Sequence, residues 1–311
     1  ILMTTFTANL AADIRENLRK ICTLEELRRI EVIHLDAWVN QFLRESGFSA
    51  QIGYDDVINP LWERAVLLAN IDLPYETTFY EEEWNRIVIA QEALTLEKYV
   101  KVTRNGRGTR LDRKKRMQVW KVFENYQNLM KENQIRDINT AMYESTKLLQ
   151  SAGRKPRYAS IIIDEGQDFS DNAYRLIRAL AGEEHPNDIF IVGDSHQRIY
   201  RNHPTLSKCG INVRGRSSIL KINYRTTEEI RKHAFALLNG ISFDDLDEDL
   251  DLGDKCQSLT HGEKPIVENF ENANDEFDFL LREVKKLKEN GVSLTDICVV
   301  ARTKKLVDDY I

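Results

Sequence analysis

Short runs of β-branched and apolar residues alternate along the chain with stretches whose apolar positions recur every three or four residues. That is the pattern of strands alternating with amphipathic helices in an α/β fold. Residues 1–6 read as a strand, and residues 8–22 as a helix with Leu10, Ile14, Leu18 and Ile21 on one face. Residues 30–35 give a second strand and residues 37–44 a second helix. From about residue 54 to residue 152 the strand signal fades, and helices are predicted over 62–70, 82–90, 111–130 and 139–150, as expected of a helical insertion within an α/β domain. Alternation then resumes, with strands over 158–163, 188–192 and 218–222 and helices over 172–180 and 227–238. Thr226 and Glu229 stand as a T-x-x-E capping box before the last of these. A strand over 266–270, a helix over 275–288 and a strand over 297–301 close the pattern. No internal repeat is present. Ile1 enters a strand without a lead-in and Ile311 stops inside a helical pattern, as in a piece of a longer chain.

Composition narrows the class. The 311 residues are 42% apolar and 30% charged, too hydrophobic for a disordered chain, and 14 Gly with 6 Pro are too few for a fibrous one. The length allows one large domain or two ordinary ones. No apolar run reaches the roughly 18–20 residues of a membrane span, and the first residues lack the basic region and cleavage site of a signal peptide. Cys22, Cys209, Cys256 and Cys298 are widely spaced with no C-x-x-C pair, so neither a zinc ribbon nor a disulfide framework is implied, and a reducing cytoplasm is the expected setting.

The formal net charge of −6 hides two opposed segments. Residues 101–116 carry eight basic side chains and one acid, and residues 243–254 carry seven acids and no base. The basic stripe, ending in Arg113, Lys114, Lys115 and Arg116, opens the longest predicted helix. It is either a phosphate-binding surface or a solvated helix face. The acidic run reads as an exposed loop linking two α/β units.

The strongest chemical signal is Ser160-Ile-Ile-Ile-Asp164-Glu165-Gly-Gln167-Asp168, an apolar strand ending in adjacent carboxylates. Open parallel sheets bind ligands at the carboxyl ends of their strands. One acid there can hold Mg²⁺, which prefers oxygen ligands and pairs with phosphates, while its neighbour orients or deprotonates a water. Thirty residues on, Ile189-Phe-Ile-Val192 leads into Gly193-Asp194-Ser-His-Gln197-Arg-Ile-Tyr200. A third strand, Ile219-Leu-Lys-Ile222, leads into Asn223-Tyr224-Arg225. Three consecutive strands thus deliver polar groups to one edge. A Gln there can sense a γ-phosphate and an Arg can stabilise transferring charge, although Arg225 also reads as a surface cation flanking a helix.

The segments IIIDEGQDFS, IVGDSHQRIY and LKINYRTTEEI resemble motifs II, III and IV of the UvrD/Rep-type superfamily 1 helicases. The opening TTFTANLAADI resembles their motif Ia, and VVARTKKLVDDY a strand–helix unit of their second motor domain. Five segments in the family's order span nearly the whole chain. The resemblance implies a partial RecA-like P-loop NTPase parallel sheet with an all-helical insertion and the start of a second RecA-like domain. Its divisions are residues 1–53 and 153–217 for the first motor domain, 54–152 for the insertion and 218–311 for the second. It implies ATP and Mg²⁺ as cofactors, with Asp164 on the metal, Glu165 activating water, Gln197 at the γ-phosphate and Arg225 as arginine finger. Gln167, Asp194 and Tyr224 are placed beside the nucleotide, and Gln167 with Asp168 couples that site to DNA. Thr5, Phe6, Thr7, His34 and Tyr200, together with Arg113, Lys114, Lys115 and Arg116, are placed on single-stranded or forked DNA. Phe6 and Tyr200 also read as core aromatics, and His34 as a satisfied buried histidine.

Two departures stand out. Where the family continues its third motif with Trp-Arg, this chain has Asn202 and His203, removing a stacking indole. No Gly precedes a Lys, so the phosphate loop G-x-x-x-x-G-K-[ST] is absent. The nearest string, Gly210-Ile-Asn-Val-Arg-Gly215-Arg216-Ser217, leads into a strand rather than opening a helix and is rejected. In the family that loop lies shortly upstream of the strand that Ile1 begins. The expectation is the middle of an ATP-dependent DNA translocase or helicase with the 3′→5′ polarity of the resembled family and a role in DNA repair, inactive by itself. The alternatives are a nucleic-acid-binding or scaffold module without motor activity, and an unrelated nucleotide-binding enzyme such as a small kinase.

Overall fold

The structure is a computed structural model; it describes residues 1–104, 107–151, 157–197, 205–238, 243–244, 250–251 and 256–310. The chain divides into two compact units, Ile1–Ile219 with Ser242–Leu252, and Leu220–Ile241 with Gly253–Ile311.

In the first unit the elements follow as β1 (Leu2–Thr4), α1 (Ala8–Ile21), α2 (Leu24–Leu27), β2 (Glu31–Val32), α3 (Leu35–Glu45), β3 (Gln51–Gly53), α4 (Asp55–Ala69) and α5 (Thr77–Glu83). A π-helical stretch, Trp84–Ile89, continues α5. Then come α6 (Leu96–Lys101), α7 (Arg113–Glu132), β4 (Ile135–Asp137), α8 (Ile138–Ser151), β5 (Ile161–Ile163), α9 (Asp171–Ala181) and β6 (Ile189–Ile191). Strands β2, β1, β5 and β6 lie side by side in that order, every pair parallel. Leu2 is level with Ile161, and Ile161 with Ile189. All four strands therefore end at the same rim.

The fully buried Leu2, Ile161 and Ile163 on one sheet face pack with Trp38, Val39 and Phe42 of α3 and with Tyr174, Leu176, Ile177 and Leu180 of α9. Helix starts are set by side chains that accept otherwise orphaned N–H groups: Thr7 for α1, Asp112 for α7 and Ser170 for α9. Helix α4 begins at Asp55 although Pro60 lies within it. A Pro in the second turn costs one backbone bond, and burial of Ile58, Leu61 and Trp62 offsets it.

The segment over residues 54–152 has its own aromatic core. Trp62 stacks on Tyr126 with ring centroids 3.6 Å apart, and Trp84, Phe123, Tyr99 and Trp120 surround the pair. It is not all-helical: β4 pairs in parallel with β3 at its base, Gln51 level with Ile135. These polar three-residue strands have no alternation long enough to read from sequence. A buried ionic knot ties the segment after α6 down. The Glu83 carboxylate, fully buried, accepts from Arg104 Nε at 2.5 Å, Arg107 Nε at 3.0 Å and the Tyr99 hydroxyl at 2.9 Å.

In the second unit the described elements are β7 (Ile222–Asn223), α10 (Glu228–Ala236), β10 (Gln257–Ser258), α11 (Ala273–Glu289) and α12 (Lys304–Tyr310), with β7 parallel to β10; β8 (Phe243–Asp244) and β9 (Leu250–Asp251) form an antiparallel pair in the acidic run, most of which lies outside the described residues. The strands expected over 266–270 and 297–301 do not form, and the one over 218–222 shrinks to β7. Val300 is 83% exposed, and no apolar side chain among the described residues of this unit is fully buried. Without neighbours to complete their ladders, β-prone runs do not become strands. The capping box expected at Thr226 and Glu229 also differs. Thr227 is the N-cap of α10, and Glu229 instead accepts from His261 Nδ1 and the Gly262 N–H, which hold its pKa down at about 2.

Replacing Glu83 leaves the buried Arg104 without a carboxylate and Arg107 with Glu82 alone, a loss of roughly 3–5 kcal/mol. Glu83→Ala is expected to lower the denaturant midpoint of the first unit accordingly; an unchanged midpoint would show the knot to be energetically neutral.

Candidate active site

At the common rim, β5 hands over to the turn Asp164-Glu165-Gly166-Gln167, and β6 to Val192-Gly193-Asp194. The Asp164 N–H donates to Thr4 O of β1 at 3.0 Å, and the Gly166 N–H to Val192 O at 2.8 Å. Three strand ends are thereby bonded to one another. Glu165 takes the left-handed conformation, φ 54° and ψ 44°, a region uncommon outside Gly and Asn. It turns the chain sharply, so that the next three residues form a short 3-10 helix.

Two glycines make this junction possible. A Cβ on Gly166 would come within 2.6 Å of Ile191 Cγ2 and 2.9 Å of the Tyr174 hydroxyl. One on Gly193 would come within 2.7 Å of Gln167 Oε1. The Tyr174 hydroxyl, from α9, donates to Gly166 O at 2.6 Å and holds the turn from below.

The polar side chains form one connected set. Gln167 Nε2 donates to Glu165 Oε2 at 2.6 Å, and the Asp194 N–H donates to Gln167 Oε1 at 3.0 Å. The Asp194 carboxylate accepts from Gln197 Nε2 at 2.8 Å and from the His196 N–H at 3.0 Å, with His196 Nδ1 3.1 Å away. Asp164, Glu165, Gln167, Asp194 and Gln197 are thus brought together on one edge. Asp168 follows on the same turn, its N–H bonded to Glu165 O. The half-buried Asp164 carboxylate makes no hydrogen bond or ion pair with the described residues. A free carboxylate beside a second acid fits Mg²⁺, which takes one or two protein carboxylates and fills its shell with water and phosphate oxygens.

The remaining expected residues divide. Phe6 is partly exposed, its ring edge-on to Phe169 at 6.3 Å. Thr5 is fully buried, whereas Thr7 is exposed and its hydroxyl oxygen accepts the Leu10 N–H as the cap of α1. His34 is half-buried at the start of α3, and burial lowers its pKa. Two residues on, burial raises the Asp36 carboxyl to about 6, a perturbation that no sequence pattern announced. Arg113, Lys114 and Lys115 are exposed in the first turn of α7. Arg116 is a correction: it turns inward and donates to the carbonyls of Tyr99, Val100, Val102 and Leu111. Arg104 and Arg107 of the same basic stripe are committed to Glu83. Tyr200, Asn202 and His203 lie outside the described residues. Tyr224 and Arg225 are exposed on the second unit, the Arg225 N–H capped by Asn223 Oδ1. The glycine-rich decoy opens no helix.

Comparison with known proteins identifies the family. Residues 1–203 match the UvrD/REP helicase N-terminal domain and residues 218–309 the UvrD-like helicase C-terminal domain. The chain belongs to the UvrD/Rep helicase family. A probable DNA helicase II homolog of Mycoplasma pneumoniae is 22% identical over 99% of this chain and 45% of its own length. The ATP-dependent DNA helicase PcrA of Leuconostoc citreum is 23% identical over 97% of this chain and 40% of its own. A PcrA of Staphylococcus aureus is 25% identical over 58% of this chain and 25% of its own. The chain spans less than half the length of these relatives. No helix among the described residues is long and apolar enough to cross a membrane.

Two outcomes follow from the geometry. Gly193→Ala drives a methyl group into Gln167 and is expected to lower the thermal midpoint by an overpacking cost of ~1–3 kcal/mol with helical content retained; an unchanged midpoint would mean that the loop yields freely. Burial raises the folded-state pKa of Asp36 above its ordinary value of 3.8 to about 6, so its ionisation weakens the fold as pH rises from about 4 to about 6. Asp36→Asn is expected to stabilise the protein by about 1–2 kcal/mol at pH 7, the gain vanishing below pH ~4; equal midpoints at both pH values would refute it.

Proposed function

We propose that this chain forms part of the motor of an ATP-driven single-strand DNA translocase that moves 3′→5′ and couples MgATP hydrolysis to unwinding of forked DNA. In this reading residues 1–53 and 153–217 make up the first RecA-like motor domain. Residues 54–152 are its insertion, and residues 218–311 belong to the second motor domain. One observation carries the proposal: the ends of β5 and β6 meet in a single hydrogen-bonded set that runs from Glu165 through Gln167 and Asp194 to Gln197. An unrelated kinase would not need two strand-end loops interlocked in this way.

The roles follow from position. Asp164 would hold Mg²⁺, which supplies charge neutralisation along the phosphates when bound. Glu165 accepts the proton of the attacking water. Gln197 reports on the γ-phosphate by exchanging its bond to Asp194 for one to phosphate oxygen. Arg225 has the role of arginine finger. Phe6 and Tyr200 offer rings to bases. Arg113, Lys114 and Lys115 contact phosphates. They stand at a helix start, where the macrodipole already favours an anion and their mutual repulsion is relieved by one.

In the complete protein, Glu165→Gln is expected to abolish single-strand-stimulated ATP turnover while MgATP still binds; near-wild-type turnover defeats the assignment. Reversing Arg113, Lys114 and Lys115 to Glu is expected to weaken DNA binding and to flatten the log–log salt dependence by about two. Arg116→Glu should instead destabilise the fold. An unchanged salt slope returns the three cations to a solvated face.

A further inference from the structure

We infer that Gln167 is a positioning residue for the proposed hydrolysis and not a nucleotide contact: its amide fixes the Glu165 carboxylate against the loop that carries Asp194 and Gln197. The inference rests on the reading of Glu165 as the group that activates water.

Both ends of the Gln167 amide are engaged. Nε2 donates to Glu165 Oε2 at 2.6 Å, and Oε1 accepts the Asp194 N–H at 3.0 Å. The residue is 1% exposed, so it has no face to offer a nucleotide. A planar amide is the one side-chain group of this length that donates to a carboxylate and accepts from a backbone N–H at once. Glu would keep the acceptor and repel Glu165. Met would fill the space and make neither bond. The backbone is built around this group: the absent side chain of Gly193 leaves the space that Gln167 Oε1 occupies, and a Cβ there would lie 2.7 Å from it.

The consequence is geometric. Glu165 sits in the left-handed region, a backbone conformation that persists only where its surroundings hold it. Its one hydrogen-bonding partner among the described side chains is Gln167. The other end of the same amide holds the Asp194 backbone, whose carboxylate holds Gln197. Gln167 therefore sets the separation between the water-activating carboxylate and the γ-phosphate sensor. Loss of the amide frees Glu165 to take other rotamers, while Asp164, which has no bond to the amide, keeps its place and the Gln197–Asp194 bond remains. The defect belongs in kcat.

The test compares Gln167→Met, Gln167→Glu and Glu165→Gln with wild type in the complete protein, by single-strand-stimulated ATPase and by calorimetric titration with MgATP. Urea midpoints establish which variants are folded, and the isosteric Gln167→Glu serves if Gln167→Met is not. Expected for both Gln167 variants is a fall in kcat of ~10- to 100-fold, with KM and the MgATP Kd within about threefold of wild type. A wild-type kcat in a folded Gln167 variant overturns the inference. So does a loss that appears in KM and Kd, which would make Gln167 a nucleotide contact. An inactive Glu165→Gln beside active Gln167 variants overturns the positioning role alone. A fully active Glu165→Gln overturns the reading of Glu165 and this inference with it.

Discussion

The parallel pairing of Ile161–Ile163 with Ile189–Ile191 carries the site. Three residues on each strand are enough to fix register, because a slip by one would turn the buried Ile161 and Ile163 away from the core beneath them. Once register is fixed, the two strands end level, and the Gly166 N–H meets Val192 O. Every polar contact above the rim depends on that coincidence. The glycines at 166 and 193 let two backbones approach to a distance that any side chain would forbid. Gln167 then occupies the space between them.

The segment over residues 54–152 shows the same economy by different means. Its aromatic core excludes water from around Trp62, Trp84 and Tyr126, and the Glu83 knot closes one side of that core. Two arginines around one carboxylate would be a poor source of net stability compared with apolar packing. They do tie the segment between α6 and α7 to α5 in a defined place. The first turn of α7 thereby receives a fixed position, and it presents three exposed cations.

The basic stripe illustrates how composition misleads at the level of single residues. Eight positive groups within residues 101–116 look like one surface. Arg104 and Arg107 are buried against Glu83, Arg116 caps backbone carbonyls, and Lys101 pairs with Glu97 along α6. Three of the guanidinium groups, with several donors in a plane, were drawn inward to satisfy buried oxygens, while Arg110, Arg113, Lys114 and Lys115 remained in water. Charge counting sees none of this, because it depends on which carbonyls and carboxylates the fold leaves without partners.

The sequence by itself determined the α/β class of the first unit, the order of the four strands of its main sheet and of its longer helices, and the family, since each rests on local periodicity and on short motifs at strand ends. Asp164, Glu165 and Gln197 were legible for the same reason: polar residues that follow an apolar run directly must lie at a strand's carboxyl end. Tertiary structure alone decided which strands are neighbours, that Thr5 is buried and Thr7 spent on a cap, and that Arg116 turns inward. It also decided that Asp36 is a perturbed acid and that the segments over 266–270 and 297–301 remain without strands. Each of these is set by partners distant in the chain. A strand exists only where a neighbour supplies the other half of its hydrogen bonds, and a side chain's chemistry is settled by what surrounds it in space.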